Sequence, residues 1–119
     1  MIHETEIRIG NWVANIHTGE PYKLTINKMI GLLPHFRENI LYVKPIQITE
    51  DVLLKCGFES KKQRFESKEA LLRICYFDSA WHCSIGDDDF GFLFRTIKHL
   101  HQLQNLYFSL TGKELQIEL

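Results

Sequence analysis

Few side chains in this sequence could do chemistry, and their spacing decides what chemistry is open to them. Zinc-type ligands occur as Cys56, Cys75, His82-Cys83 and His99-x-His101. No CxxC or HxxxH pair supplies the spacing of a structural zinc site. Adjacent His82 and Cys83 point to opposite faces of a strand, and His99 and His101 fall about 200° apart on a helix. Buried cysteines acting as small hydrophobes account for the thiols, and no metal or cofactor is expected. Asp87-Asp88-Asp89 offers hard oxygen ligands, but it lacks the D-x-D-x-D-G spacing of a cation loop and reads as a solvated hairpin turn. Nucleophilic catalysis needs a Cys or Ser with a partner His and an orienting acid, and no segment supplies the set. Neither GxGxxG nor GxxxxGK[ST] is present to cradle a phosphate. The expectation is a protein that is not an enzyme.

Binding residues are easier to name. Trp12, Tyr42 and Trp81 could stack a base or anchor a partner, with Arg8, Lys23, Arg37 or Arg95 taking phosphates. Core packing explains Trp12 and Trp81 equally well. Lys61-Lys62-x-Arg64 is the only basic cluster, with Lys68 nearby. Without aromatics interleaved on one face it reads as a solvated turn rather than a nucleic-acid surface.

Composition narrows the classes further. A chain of 119 residues, 45% hydrophobic and 24% charged, is one domain with a real core. Fourteen basic and 15 acidic residues leave a net charge of −1, so no global field draws in nucleic acid or an anionic membrane. No apolar run approaches the ~20 residues of a membrane span, and MIHETEIRIG lacks the apolar stretch of a signal peptide. Three cysteines are too few for a disulfide scaffold and fit a reducing compartment. A cytoplasmic protein is expected, the host cytoplasm if a phage encodes it.

The elements that must position these residues can be read in order. Residues 1–44 form an N-terminal β unit. Ile7 and Ile9 alternate with Arg8, Gly10-Asn11 turns into Trp12-Val13-Ala14, and His17 to Glu20 is a hairpin turn. Tyr22 to Ile26 alternates again toward Met29-Ile30, and Ile40 to Val43 returns after a loop. The expected product is a curled antiparallel sheet of three or four strands, SH3-like if it closes. Residues 45–119 form the second part. Thr49 caps a short helix with Glu50 and Asp51 in its first turn, and Gly57 stops it. An antiparallel meander follows through Arg64-Phe65-Glu66, Leu71 to Phe77, Trp81 to Ile85 and Phe90 to Arg95, with turns at Asp78-Ser79 and Gly86 to Asp89. The class is α+β.

The tail, His99 to Leu119, organises the rest. Leu100, Leu103, Leu106, Tyr107 and Leu110 make one apolar stripe at helical spacing, Thr111-Gly112 ends the helix, and Leu115, Ile117 and Leu119 alternate as a short last strand. The helix is expected to roof the meander. Its opposite side, His101, Gln102, Asn105 and Ser109, is unusual because residues 99–112 contain no Lys, Arg, Asp or Glu. Such a face is either a merely uncharged surface or one covered by the chain itself or by a second subunit, and the last reading makes these four residues candidates for a homo-oligomer interface.

Three segments together, IRIGNWV at Ile7 to Val13, PIQITEDVLLKCGFE at Pro45 to Glu59 and HQLQNLYFSLTGKELQIEL at His101 to Leu119, resemble a large group of small uncharacterised proteins. That group comes from gut anaerobes and their phages, prophages and mobile elements. Its members carry an "LRIGN" head, a "PIPLTEEILLKCGF" middle and a "VHQLQNLYFALTGEEL" tail. The resemblance covers about a third of the chain and implies no activity. It implies that these segments are scaffold, with specificity in the variable stretches 14–44 and 60–98. The function expected by this analogy is counter-defence or accessory binding, sequestering a small nucleotide signal or a host protein. A nucleic-acid accessory factor and a metal-dependent hydrolase are the alternatives.

Overall fold

A computed structural model of the chain describes residues 2–3, 6–32, 40–41, 43–61, 64–67, 72–85 and 92–119. The α+β class is the class observed: antiparallel strands, two short helices and a longer C-terminal helix. The backbone divides into two compact units, Met1–Gln47 with His99–Asn105, and Ile48–Lys98 with Leu106–Leu119.

In the first unit β1 (Ile2–His3) pairs with β4 (Ile40–Leu41), and β2 (Trp12–Ala14) pairs with β3 (Pro21–Lys23), both antiparallel. These are two separate two-stranded ladders, joined to the following segment by a bridge between Ala14 and Lys44, rather than one curled sheet. The expected strand from Tyr22 to Ile26 stops at Lys23, because Thr25 starts a helix instead. Its Oγ1 accepts from the Lys28 N–H at 3.2 Å and its carbonyl from the Met29 N–H at 2.9 Å. Helix α1 (Ile26–Leu32) then sets Met29 and Leu32, three residues apart, against a core of Ile2, Val13, Leu24 and Val43. Alternation there had two readings, and the cap decided between them. Ile7 joins this core, but Ile9 is exposed at a turn, so the expected Ile7–Ile9 strand is irregular. The loop before β4 and Tyr42 lie outside the described residues.

In the second unit Thr49 caps α2 (Glu50–Lys55) as expected, accepting from the Val52 N–H at 3.1 Å. Gly57, at φ +85°, ends it and lets the Phe58 N–H return to the Leu53 carbonyl. A five-stranded antiparallel meander follows: β5 (Glu59–Lys61), β6 (Arg64–Glu66), β7 (Leu72–Phe77), β8 (Ala80–Ile85) and β9 (Phe92–Ile97). Asp78 and Ser79 both sit at positive φ (51° and 60°), the geometry of a two-residue hairpin turn whose twist matches the strands. Phe65, Ile74 and Cys83 stand level on adjacent strands and are all buried, which identifies the core side of the sheet. The turn expected at Gly86 to Asp89 lies outside the described residues.

Helix α3 (Leu100–Thr111) buries Leu100, Leu103, Leu106 and Tyr107, but Leu110 is exposed, so the stripe is one residue shorter than expected. Only the part from Leu106 onward belongs with the meander, and the first turns belong with the N-terminal unit. The expectation of a roof over the meander alone is corrected accordingly. After Gly112 the alternating tail forms no strand. Leu115 is buried, Leu119 is exposed, and the Glu118 N–H reaches the Lys55 carbonyl at 3.2 Å. Period-two alternation here does not produce a ladder.

Candidate functional site

The most densely bonded polar cluster joins IRIGNWV to HQLQN. Gln104 is almost fully buried. Its Oε1 accepts from the Trp12 N–H at 2.7 Å and its Nε2 donates to the Gly10 carbonyl at 3.0 Å. One side-chain amide thus pairs with two backbone groups as a neighbouring strand would. Asn11, also buried, accepts from the Arg8 N–H at 2.8 Å and donates to Asn105 Oδ1 at 2.9 Å, and Asn105 donates in turn to the Glu6 carbonyl. Arg8 reaches the Gln104 carbonyl at 3.3 Å. Every amide in this chain of bonds is used on the protein itself, which makes it scaffold.

That finding relocates part of the uncharged helix side. His101 is buried and Asn105 is bonded to Asn11 and Glu6, so at these positions the chain itself is the cover. They do not form the exposed face that a second subunit would need. Gln102 is half-buried and accepts from the His99 N–H, while Ser109 is exposed.

His99 precedes the helix rather than lying on it, in a bridge with Gln47. Its ring therefore lies nearly parallel to that of His101, centroids 5.6 Å apart, and not on the opposite side. Neither ring nitrogen of His101 has a hydrogen-bond partner among the described residues. Burial, and then the neighbouring charge of His99, push its pKa down to about 4.

Of the predicted ligand residues, Trp12 and Lys23 are brought together as direct cross-strand partners. Trp81 lies in the second unit. It pairs with Tyr76 (ring centroids 5.0 Å) and meets Phe65 edge-on at 6.1 Å, which fits its core-aromatic reading. Arg95 stands level with Cys83 on β9. Arg37 and Tyr42 lie outside the described residues.

The register of the meander assembles a second cluster that the sequence reading did not see as one. Lys61 is level with Arg64, Cys75 with His82, and His82 with Thr96. Since Phe65 pairs with Ile74, Arg64 comes level with Cys75 one step along the same ladder. Lys61, Arg64, Cys75, His82 and Thr96 therefore form one row across all five strands, on the side opposite the buried Phe65–Ile74–Cys83 row. Each of the five is exposed or half-buried. Phe77 follows on the same side, 49% exposed, with its ring stacked on His82 at 3.8 Å and 15°. The Phe77 carbonyl can only accept, so His82 Nε2, at 3.1 Å from it, is the donor. This holds the imidazole against Phe77. Cys75 stands directly opposite His82 on the neighbouring strand. Nearby, Arg64 and Arg73 both reach Glu66 Oε1, at 2.8 and 3.5 Å. Two guanidinium groups share one carboxylate, and Lys61 pairs with Glu59 Oε2 at 3.7 Å.

The two-residue turn at Asp78-Ser79 was the available signal, because it alone fixes Phe77 opposite Ala80 and Cys75 opposite His82. The pairing of β6 with β7 has no such local signal.

Each unit also carries a cleft. One of about 620 Å³ in the second unit is lined by Phe58, Ser67, Tyr107, Lys113, Leu115 and Cys56, whose thiol burial pushes up to about 12. That cysteine is a packing residue. The other, about 430 Å³ in the first unit, includes Tyr22 and Lys28, with the Lys28 ammonium 5.0 Å from the Tyr22 ring centre. No helix among the described residues is long and apolar enough to cross a membrane. In comparisons with known proteins, no family model, curated protein or solved structure matches this chain.

Proposed function

We propose that this is a small non-catalytic binding protein, of the accessory kind that phages and mobile elements carry, and that it acts by occupying its target through the open face of the five-stranded sheet. One observation carries the reading: Lys61, Arg64, Cys75, His82, Thr96 and Phe77 share one side of the meander, opposite the buried Phe65, Ile74 and Cys83. An exposed aromatic beside cationic groups on a rigid sheet is the composition of a recognition surface. The polar network of Gln104, Asn11 and Asn105 is consumed by the fold and leaves this face as the surface with chemistry to offer. His82 serves the face as a stacking group.

Native mass spectrometry of protein freshly purified from expressing cells tests this. A retained species on the wild type that is missing from Phe77→Ala is the expected result. Identical spectra for the two proteins would remove the reading.

A further inference from the structure

We infer that the end of the β7–β8 hairpin enters an apolar-walled cleft of a protein partner, an assignment that rests on reading the Phe77 side of this sheet as the binding surface. Successive strand residues point to opposite faces, and here both faces carry exposed aromatics. Tyr76 is 58% exposed and Phe77 49%, although Ile74, two residues before Tyr76 on β7, is fully buried. On one face the Phe77 ring lies on His82 at 3.8 Å, and the His82 ring is tied to the Phe77 carbonyl. On the other, the Tyr76 ring meets its cross-strand partner Trp81 at 5.0 Å, and Trp81 rests edge-on against the buried Phe65. Each exposed ring is thus held in place by a neighbour before any partner arrives, which lowers the ordering cost of binding.

Aromatics on both sides select the shape of the partner. A flat surface laid on the Phe77 side would leave Tyr76 in water, whereas a cleft that receives the hairpin end-on covers both rings. Charge selects its chemistry. Residues 74–86 contain one Asp, Glu, Lys or Arg between them, which is Asp78 at the apex of the turn. The hairpin end therefore supplies no cation of its own to a phosphate backbone, and its leading carboxylate is repelled by an anionic membrane. Aromatic side chains with few charges are the composition of the centre of a protein–protein interface. Asp78 is exposed and has no ion-pair partner among the described residues, so an N–H donor at the floor of the cleft is the group it would meet. Asp78 and Ser79 hold positive φ, where glycine fits with less strain, so turn geometry alone does not account for a carboxylate there.

Photo-cross-linking in expressing cells tests the inference, with p-benzoylphenylalanine replacing Tyr76, Phe77 or, as a control, Leu54, which is 53% exposed on α2. Circular dichroism confirms the fold of each variant. Positions 76 and 77 should give the same protein adduct by mass, and position 54 none. In native spectra of the purified protein, Tyr76→Ala and Phe77→Ala should each lower the retained partner at least tenfold, while Tyr76→Phe keeps it. An adduct from position 77 alone, with Tyr76→Ala harmless, would overturn insertion and leave the sheet face standing as the binding surface. An adduct from neither position, or the same adduct from position 54, would overturn it too. A nucleic acid or a lipid as the retained species would replace the protein partner. Spectra identical for the wild type and both alanine variants would remove the binding face together with the insertion.

Discussion

At the residue scale, amides and imidazoles separate what holds this protein together from what it offers to a partner. Gln104 satisfies two backbone groups of the Gly10–Trp12 segment from within a helix, a service that helical periodicity does not announce. The uncharged run in residues 99–112 did announce that something polar would be covered, and at His101, Gln104 and Asn105 the cover is the chain. His101 carries a testable consequence. Its folded pKa, about 4, lies below the ordinary histidine value near 6.5, so the unfolded chain binds the proton more readily. The stability it confers is fully present above pH 6.5 and is lost as pH falls from there toward 4, by about 3 kcal/mol at the low end. Chemical denaturation across that window should show a shallower acid decline for His101→Phe than for the wild type. At pH 7 that variant should be no less stable, because it removes an unpartnered buried polar ring.

At the element scale, the legible features were those with a local physical cause. Thr49, Gly57 and Gly112 marked helix ends through capping and positive φ, and each did so in the structure. Alternation was less reliable. In Tyr22 to Ile26 it gave way to a helix started by Thr25, and in Leu115 to Leu119 it produced no ladder, because pairing depends on a partner strand that the pattern does not specify. The β7–β8 hairpin is where local and register information meet. Asp78 and Ser79 both adopt a conformation that side chains disfavour, whereas Asn-Gly suits it. The double variant Asp78→Asn, Ser79→Gly should therefore gain about 1 kcal/mol in thermal or urea unfolding while keeping the Phe77–His82 stack. A loss of stability would mean that the turn is not the two-residue type.

At the scale of the whole molecule, the near-neutral charge excluded long-range attraction but said nothing about local surfaces. The candidate residues named from sequence were chosen for type, and register then determined which could cooperate. Trp12 met Lys23, while Trp81 went to a core edge and the open face fell to Lys61, Arg64, His82 and Phe77. We propose a division of labour in which residues 7–13 and 101–105 hold the chain together and the sheet face that carries Phe77 meets the partner. Urea unfolding of Gln104→Ala and Phe77→Ala, measured side by side with the wild type, tests it most directly. Gln104→Ala strands the buried Trp12 N–H and Gly10 carbonyl, and a loss of about 2–4 kcal/mol is predicted. Phe77→Ala gives up one cross-strand neighbour on an exposed face, and less than about 1 kcal/mol should go. Equal losses, or a larger loss at Phe77, would contradict the account by making the open face part of the scaffold.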